Sequence, residues 1–158
     1  MTMALPVSIV EKSPTPHGVV SLEVCYPNGR REVIVVENRV VAQGRDLLLR
    51  NAIGLDAVSI DFIVFSNDAS VPSDGETAMP GTWVFAVPAT KSRPAPRQVR
   101  WSATLDGGAS GVSGNTVGSI GLCTSANGAG LFARVKLPSP IGLAAGVLIN
   151  VHYDVTMT

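Results

Sequence analysis

Apolar and polar residues alternate most cleanly through Gly146 to Met157. Val147, Ile149, Val151, Tyr153, Val155 and Met157 fall on one side, and Leu148, Asn150, His152, Asp154 and Thr156 on the other. A period of two places successive side chains on opposite faces of an extended chain, so this stretch reads as a strand with one buried face. Arg97 to Leu105 repeats the pattern, with Val99, Trp101, Ala103 and Leu105 opposed to Gln98, Arg100, Ser102 and Thr104. Val58 to Ser66 carries apolar residues on both sides and reads as a strand partly covered on both faces. Thr82 to Val87 is a short apolar strand stopped by Pro88.

Two hairpins are legible. In Val117 to Leu137, the apolar runs Ile120 to Leu122 and Leu131 to Leu137 flank a polar turn, Thr124 to Gly130, with Asn127-Gly128 at its tip. Asn-Gly tolerates positive φ and closes tight turns. Gly118 and Gly121, beside and inside the first run, predict a bulge or a close backbone approach. Val19 to Tyr26 and Arg31 to Val36 form the other hairpin around Pro27-Asn28-Gly29-Arg30. A two-residue type I′ turn at Asn28-Gly29 sets Val24 opposite Val33 and Leu22 opposite Val35, which gives one fully apolar face and one carrying Glu23, Cys25 and Glu32.

Only Asn38 to Ile53 has helical periodicity, with Val40, Val41, Gly44, Leu47 and Leu48 at spacings of three and four. Asn38 is the expected N-cap and Gly54 the stop. Gly44 costs about 1 kcal/mol relative to alanine inside a helix, which suggests close packing on a sheet. Between the elements lie a polar loop, Asn67 to Gly81, a Pro-rich connection, Ala89 to Pro96, a glycine-rich loop, Asp106 to Gly114, and a turn, Pro138 to Gly142. Residues 1–18, with Pro14, Pro16 and Gly18 near their end, are expected to form an extended arm before a single β-rich domain, 19–158. The fold class expected is mainly β: an antiparallel β-sandwich of about seven to eight strands with one helix packed on it.

Composition narrows the function. The 158 residues are 46% apolar and only 15% charged, with formal net charge zero. A neutral, lightly charged surface favours association and lacks the cationic excess that phosphate backbones require, so neither nucleic acid nor membrane is expected as a partner. Lys91, Arg93, Arg97 and Arg100 gather near Pro94 and Pro96 and read as a solvated loop. No apolar run has the length and composition of a transmembrane helix, and no signal-peptide pattern precedes Lys12.

Candidate chemistry is sparse. Cys25 and Cys123 are too few for a disulfide framework or a zinc site and read as packed side chains. His17 stands alone. His152 and Asp154 share a strand face but lack further ligands, so no metal or cofactor is expected. Gly111-Val112-Ser113-Gly114 lacks the pattern of a nucleophile elbow. Asp61, Asp68, Asp74 and Glu76 offer carboxylates, in or near a turn-rich loop where acids are common. Trp83 and Trp101 sit in apolar strands, where core packing is the ordinary role; stacking on a sugar is the alternative.

The order of blocks carries a family resemblance. Val36 to Arg50 (VENRVVAQGRDLLLR), Ile60 to Thr77 (IDFIVFSNDASVPSDGET), Val99 to Leu105 (VRWSATL), Gly114 to Leu122 (GNTVGSIGL) and Gly130 to Val135 (GLFARV), closed by the last alternating strand, together resemble small structural proteins of tailed-bacteriophage virions of the tail-fibre or tail-collar type. The resemblance implies a non-enzymatic virion component, most simply a tail or fibre-attachment module. Capsid decoration and a carbohydrate-binding module are the alternatives. It implies copies of itself and other virion proteins as partners, with a host-surface glycan as a further partner that no residue supports. Assembly contacts are expected in the arm and two loops, at Pro14, Pro16, His17, Pro72, Asp74, Arg93, Pro94 and Pro96.

Overall fold

The computed structural model describes residues 16–55 and 57–157. They contain nine strands and one helix: β1 (Pro16–Cys25), β2 (Arg31–Val40), α1 (Ala42–Ala52), β3 (Phe62–Ser66), β4 (Val84–Pro88), β5 (Thr90–Ser92), β6 (Gln98–Asp106), β7 (Thr116–Cys123), β8 (Leu131–Gly142) and β9 (Leu148–Met157). All pairings are antiparallel, in the order β4-β3-β7-β8-β2-β1-β9-β6-β5. Strand β2 belongs to both sheets. Arg31 to Asn38 pair with β1, whereas Arg39 and Val40 pair with Arg134 and Ala133 of β8. The architecture is thus the predicted mainly β sandwich with a single helix. Its first sheet is β2-β1-β9-β6-β5 and its second is β4-β3-β7-β8.

The inward faces meet in one apolar core. Val20, Leu22, Ile149, Val151, Tyr153 and Trp101 come from the first sheet, and Ile63, Phe65, Ile120, Leu122, Phe132 and Val135 from the second. The alternation read in β9 and β6 is realised there. A smaller cluster of Val41, Val64, Met79, Cys123 and Leu131 lies on the outer side of the second sheet. Val64 and Cys123 alternate with Ile63 and Leu122, so they project away from the main core.

Gly118 and Gly121 explain how that outer side is covered. The register shifts between Val117 and Ser119, a bulge at Gly118. A Cβ on Gly118 would stand 2.7 Å from the Asp68 carbonyl oxygen, and one on Gly121 would run into the Met79 sulfur. The two glycines therefore let the 67–81 loop lie flat on the sheet. The loop also pairs at Ala78 with Ala129, and its Met79 N–H donates to the Gly128 carbonyl at 2.9 Å.

Several expectations need correction. The first hairpin pairs Leu22 with Ile34 and Val24 with Glu32, one residue away from the predicted register. Its loop has three residues, with Gly29 at φ 82°. Pro27 has no N–H with which to close a two-residue turn, so Tyr26 donates to Arg30 instead, at 2.9 Å. The slip turns Val33 and Val35 outward, 71% and 63% exposed.

The helix begins at Ala42, not Asn38. Arg39 and Val40 are held in the β8 ladder, and the Asp74 carbonyl accepts the Ala42 N–H at 3.1 Å, so the loop caps the helix. Asn38 is a strand residue whose Nδ2 donates to the Tyr153 hydroxyl. At the other end Gly54 stops the helix at φ 74°, as read.

Residues 58–61 are not strand; β3 starts at Phe62, which faces Pro88 and Cys123, the last residues of β4 and β7. Pro138 to Gly142 is not a turn but the end of β8. Gly142 and Ile141 pair with Thr116 and Val117, and Leu137 to Pro140 bulge opposite Gly118, where two prolines remove no ladder bond. Within Ala89 to Pro96 the chain also forms the short strand β5.

Candidate functional site

The register of the first sheet gathers most of the expected contacts at one end of the molecule. His17 pairs with Thr156, which pairs with Gln98, and the neighbouring row runs from Asn38 through Gly18 and Val155 to Val99. The 93–97 connection enters β6 at this end. Its Arg97 has φ 61°, and the Met157 N–H donates to the Arg97 carbonyl at 3.0 Å. A non-glycine residue at positive φ is held there by its surroundings. Pro72 and Val71 line a cleft with Glu37 and Asn38 at the same end.

Pro14 lies outside the described residues, and so does most of the 1–18 arm. Its last three residues, Pro16 to Gly18, are not an arm but part of β1, and Pro16 is buried while His17 is exposed. Arg93, Pro94 and Pro96 are exposed, and Pro72 is half-buried. Asp74 is exposed but engaged. Arg45 Nη1 and Nη2 donate to its carboxylate at 2.9 and 2.8 Å. It sits toward α1, apart from the 93–96 connection.

The residue that holds this surface in shape was not singled out by sequence reasoning. Arg134, on β8, is 0% exposed. Its Nε and Nη2 donate to Glu76 at 2.9 and 2.7 Å, its Nη1 to Asp68 at 3.3 Å, and its Nη2 also to the Ser70 hydroxyl at 3.2 Å. A buried cation satisfied by two carboxylates pins both limbs of the loop that carries Val71 and Pro72. The available signal was a lone arginine at an outward position of an apolar strand, with acids in a facing loop.

The Ser70 hydroxyl and N–H, followed by Arg134, hold the Asp68 carboxyl below the ordinary carboxylate range. A depressed folded-state pKa contributes stability that is complete above the ordinary Asp value and lost as pH falls through the folded value. Unfolding free energy is therefore expected to decline from about pH 4 downward, and Asp68→Asn should flatten that decline in denaturation curves measured across the acid range.

The four acids weighed for hydrolytic chemistry are each held by a cation: Asp61 by Lys91, Asp74 by Arg45, and Asp68 and Glu76 by Arg134. Lys91 and then Ser59 also lower the Asp61 pKa, the opposite of what a general acid requires. Ser102 Oγ and His152 Nδ1 lie 2.8 Å apart on the open face of the first sheet. Asp154, the acid nearest on that strand face, is instead engaged by Arg100 through two bonds of 2.7 Å. Among the described residues no three His, Cys, Asp or Glu side chains come together to hold a metal ion, and no helix is long and apolar enough to cross a membrane.

Trp101 is 7% exposed, and its Nε1 donates to the Ile60 carbonyl at 2.9 Å, so it is core and not a sugar platform. Trp83 is half-buried, stacked on Phe85 and bonded through Nε1 to the Gly111 carbonyl at 2.8 Å. Cys123 is a packed thiol pushed up to about 12 by burial. Cys25 is half-buried and donates to Glu23, which raises its pKa. In comparisons with protein-family models, curated proteins and solved structures, none matched this chain.

Proposed function

We propose that this protein is a non-enzymatic structural component of a tailed-bacteriophage virion, a module that docks on neighbouring subunits of a tail or fibre-attachment assembly. The observation that carries the reading is the gathering of its uncommitted surface at one end of a rigid sandwich. The chain rises into β1 there at Pro16, beside the exposed Arg93 to Pro96 connection and the Val71-Pro72 tip, with Val71 75% exposed. A body with zero net charge and exposed valines and leucines gains by covering them with neighbours. The block resemblance supplies the virion context.

Mass spectrometry of purified particles tests this, and absence of the protein from the particle would end it. A dozen or fewer copies would place it in the tail, and hundreds would place it on the capsid shell as decoration. Deleting residues 2–15 spares every β1 pairing described above. That deletion is expected to lower particle occupancy severalfold while leaving the thermal unfolding of the isolated chain unchanged. Full occupancy after deletion would remove the arm from the docking surface.

A further inference from the structure

We propose that the free edge of β2 pairs antiparallel with the same edge of a second copy, about a two-fold axis at Ile34, joining the first sheets of two protomers into one. Tyr26 and Arg30 form a hydrogen-bonded pair, so by alternation Glu32, Ile34 and Val36 direct their N–H and C=O groups toward β1. The backbone groups of Arg31, Val33, Val35 and Glu37 then point away from it. Strand β8 meets β2 only at Arg39 and Val40, so among the described residues no strand takes that side of 31–38. The two strands splay there into clefts, one lined by Glu37, Asn38 and Lys136 and the other by Val33, Ile34 and Pro138.

Open edges are ordinarily blunted by lysine, proline or a bulge. Arg31 to Asn38 has no lysine, no proline and an unbroken register, and its charges, Arg31, Glu32 and Glu37, stand only at its two ends. The four residues that offer the free backbone groups are all exposed. Their order is Arg, Val, Val, Glu, symmetric in position about Ile34 and opposite in charge. Antiparallel pairing centred on Ile34 sets Arg31 opposite Glu37 of the partner subunit and Val33 opposite Val35 of the partner subunit. In both pairs each residue has its backbone groups facing the other, as a hydrogen-bonded pair requires. Centring the pairing on Val33 or Val35 keeps the hydrogen-bond pattern but loses both charge pairs. Charge complementarity and apolar cover thus select one register and one occupant, a second copy of this chain.

The proposal names one surface and one partner within the assembly reading but does not depend on the virion context. A dimer missing from particles would sink that context alone, and a virion protein that never pairs through β2 would sink this proposal alone. The decisive measurement is disulfide crosslinking of the full chain in a Cys25→Ser background, with its mass followed by light scattering.

Ile34→Cys places two thiols across the axis in a non-hydrogen-bonded pair, where Cα atoms lie about 4.5 Å apart, and is expected to oxidise to a covalent dimer. Val36→Cys, displaced from the axis, is expected to stay uncrosslinked. Arg31→Glu should weaken the dimer about tenfold, consistent with losing two modest ion pairs, and Arg31→Glu with Glu37→Arg should restore it. Arg31 also contacts Glu23 at 3.1 Å within its own hairpin. The swap does not repair that contact, so restored dimerisation reports the intersubunit pair. A monomeric wild-type chain, or equal crosslinking at Ile34→Cys and Val36→Cys, would overturn the proposal. So would a chain that dimerises only after deletion of residues 2–15, because its own N-terminal segment would then be covering the edge.

Discussion

Replacing Arg134 with methionine is expected to lower the unfolding free energy by about 3–5 kcal/mol, the range for breaking a buried ion pair from one side. Methionine occupies much of the same space, so the loss is not chiefly a cavity effect. What remains behind is the Glu76 side chain, 17% exposed, and the Asp68 side chain, 26% exposed, with no cation between them. Each would sit under a loop that excludes much of the water, or the loop would lift from Gly118 and Gly121 to hydrate them. Either route costs stability. Denaturant titration followed by the fluorescence of Trp83 and Trp101 measures it. The midpoint should fall, and protease cleavage within 67–81 should accelerate. Arg134→Met combined with Glu76→Gln and Asp68→Asn should recover much of the loss, because no unpaired charge is then left. A single-variant loss below about 1 kcal/mol, the worth of an exposed ion pair, would show that this cluster does not hold the loop.

Gly44→Ala is expected to destabilise the fold by about 2 kcal/mol through overpacking, although helix propensity alone would make it stabilising by about 1 kcal/mol. The reversal comes from the neighbour. Gly44 is the buried residue of α1, and a Cβ there would press on the Phe132 carbonyl, 2.9 Å from its carbon and 3.0 Å from the Phe132 Cα. Phe132 is skipped in the β7 register, between Leu131 and Ala133, but its carbonyl is tied to the Val41 N–H, and strand backbone cannot move aside as a side-chain tip can. The helix would have to back away, disturbing the Val41 N–H bond to Phe132, 3.2 Å long. Gly75→Ala is the matched control, because nothing lies within 4 Å of its added methyl and its φ is not left-handed. It should change stability by no more than about 0.5 kcal/mol. A stabilising Gly44→Ala would mean that the helix rests more loosely on β8 than the geometry indicates.

These two sites show where sequence reading succeeded and stopped. Glycine inside a helical pattern already announced close packing, and the β8 backbone is what it packs against. Gly118 and Gly121 likewise announced a close approach, although the segment that approaches, Asp68 to Met79, lies far earlier in the chain. Arg134 shows the converse. Like Lys136, it looks like an outward polar position in Leu131 to Leu137 until the loop folds over it. The first hairpin failed for a local reason that was legible in principle. Pro27 cannot donate the bond that closes a two-residue turn, and one residue of slip moved Val33 and Val35 from the core to the surface. Of the expected contact residues, His17, Pro72, Arg93, Pro94 and Pro96 gather toward one end, Asp74 is tied to Arg45 nearer the helix, Pro16 is buried, and Pro14 lies outside the described residues.

By itself the sequence determined the elements whose cause is local. Alternation made β6 and β9, Asn127-Gly128 turned the central hairpin, Gly54 ended the helix, and low charge with few reactive side chains set the character of the surface. Only the tertiary structure decided where α1 begins, what covers the second sheet, which carboxylates Arg134 gathers, and that among the described residues no strand pairs with the outer side of β2 along 31–38. Those outcomes depend on groups far apart in the chain. Their partners are chosen by which backbone donors, charges and apolar faces remain unsatisfied once the sheets have closed.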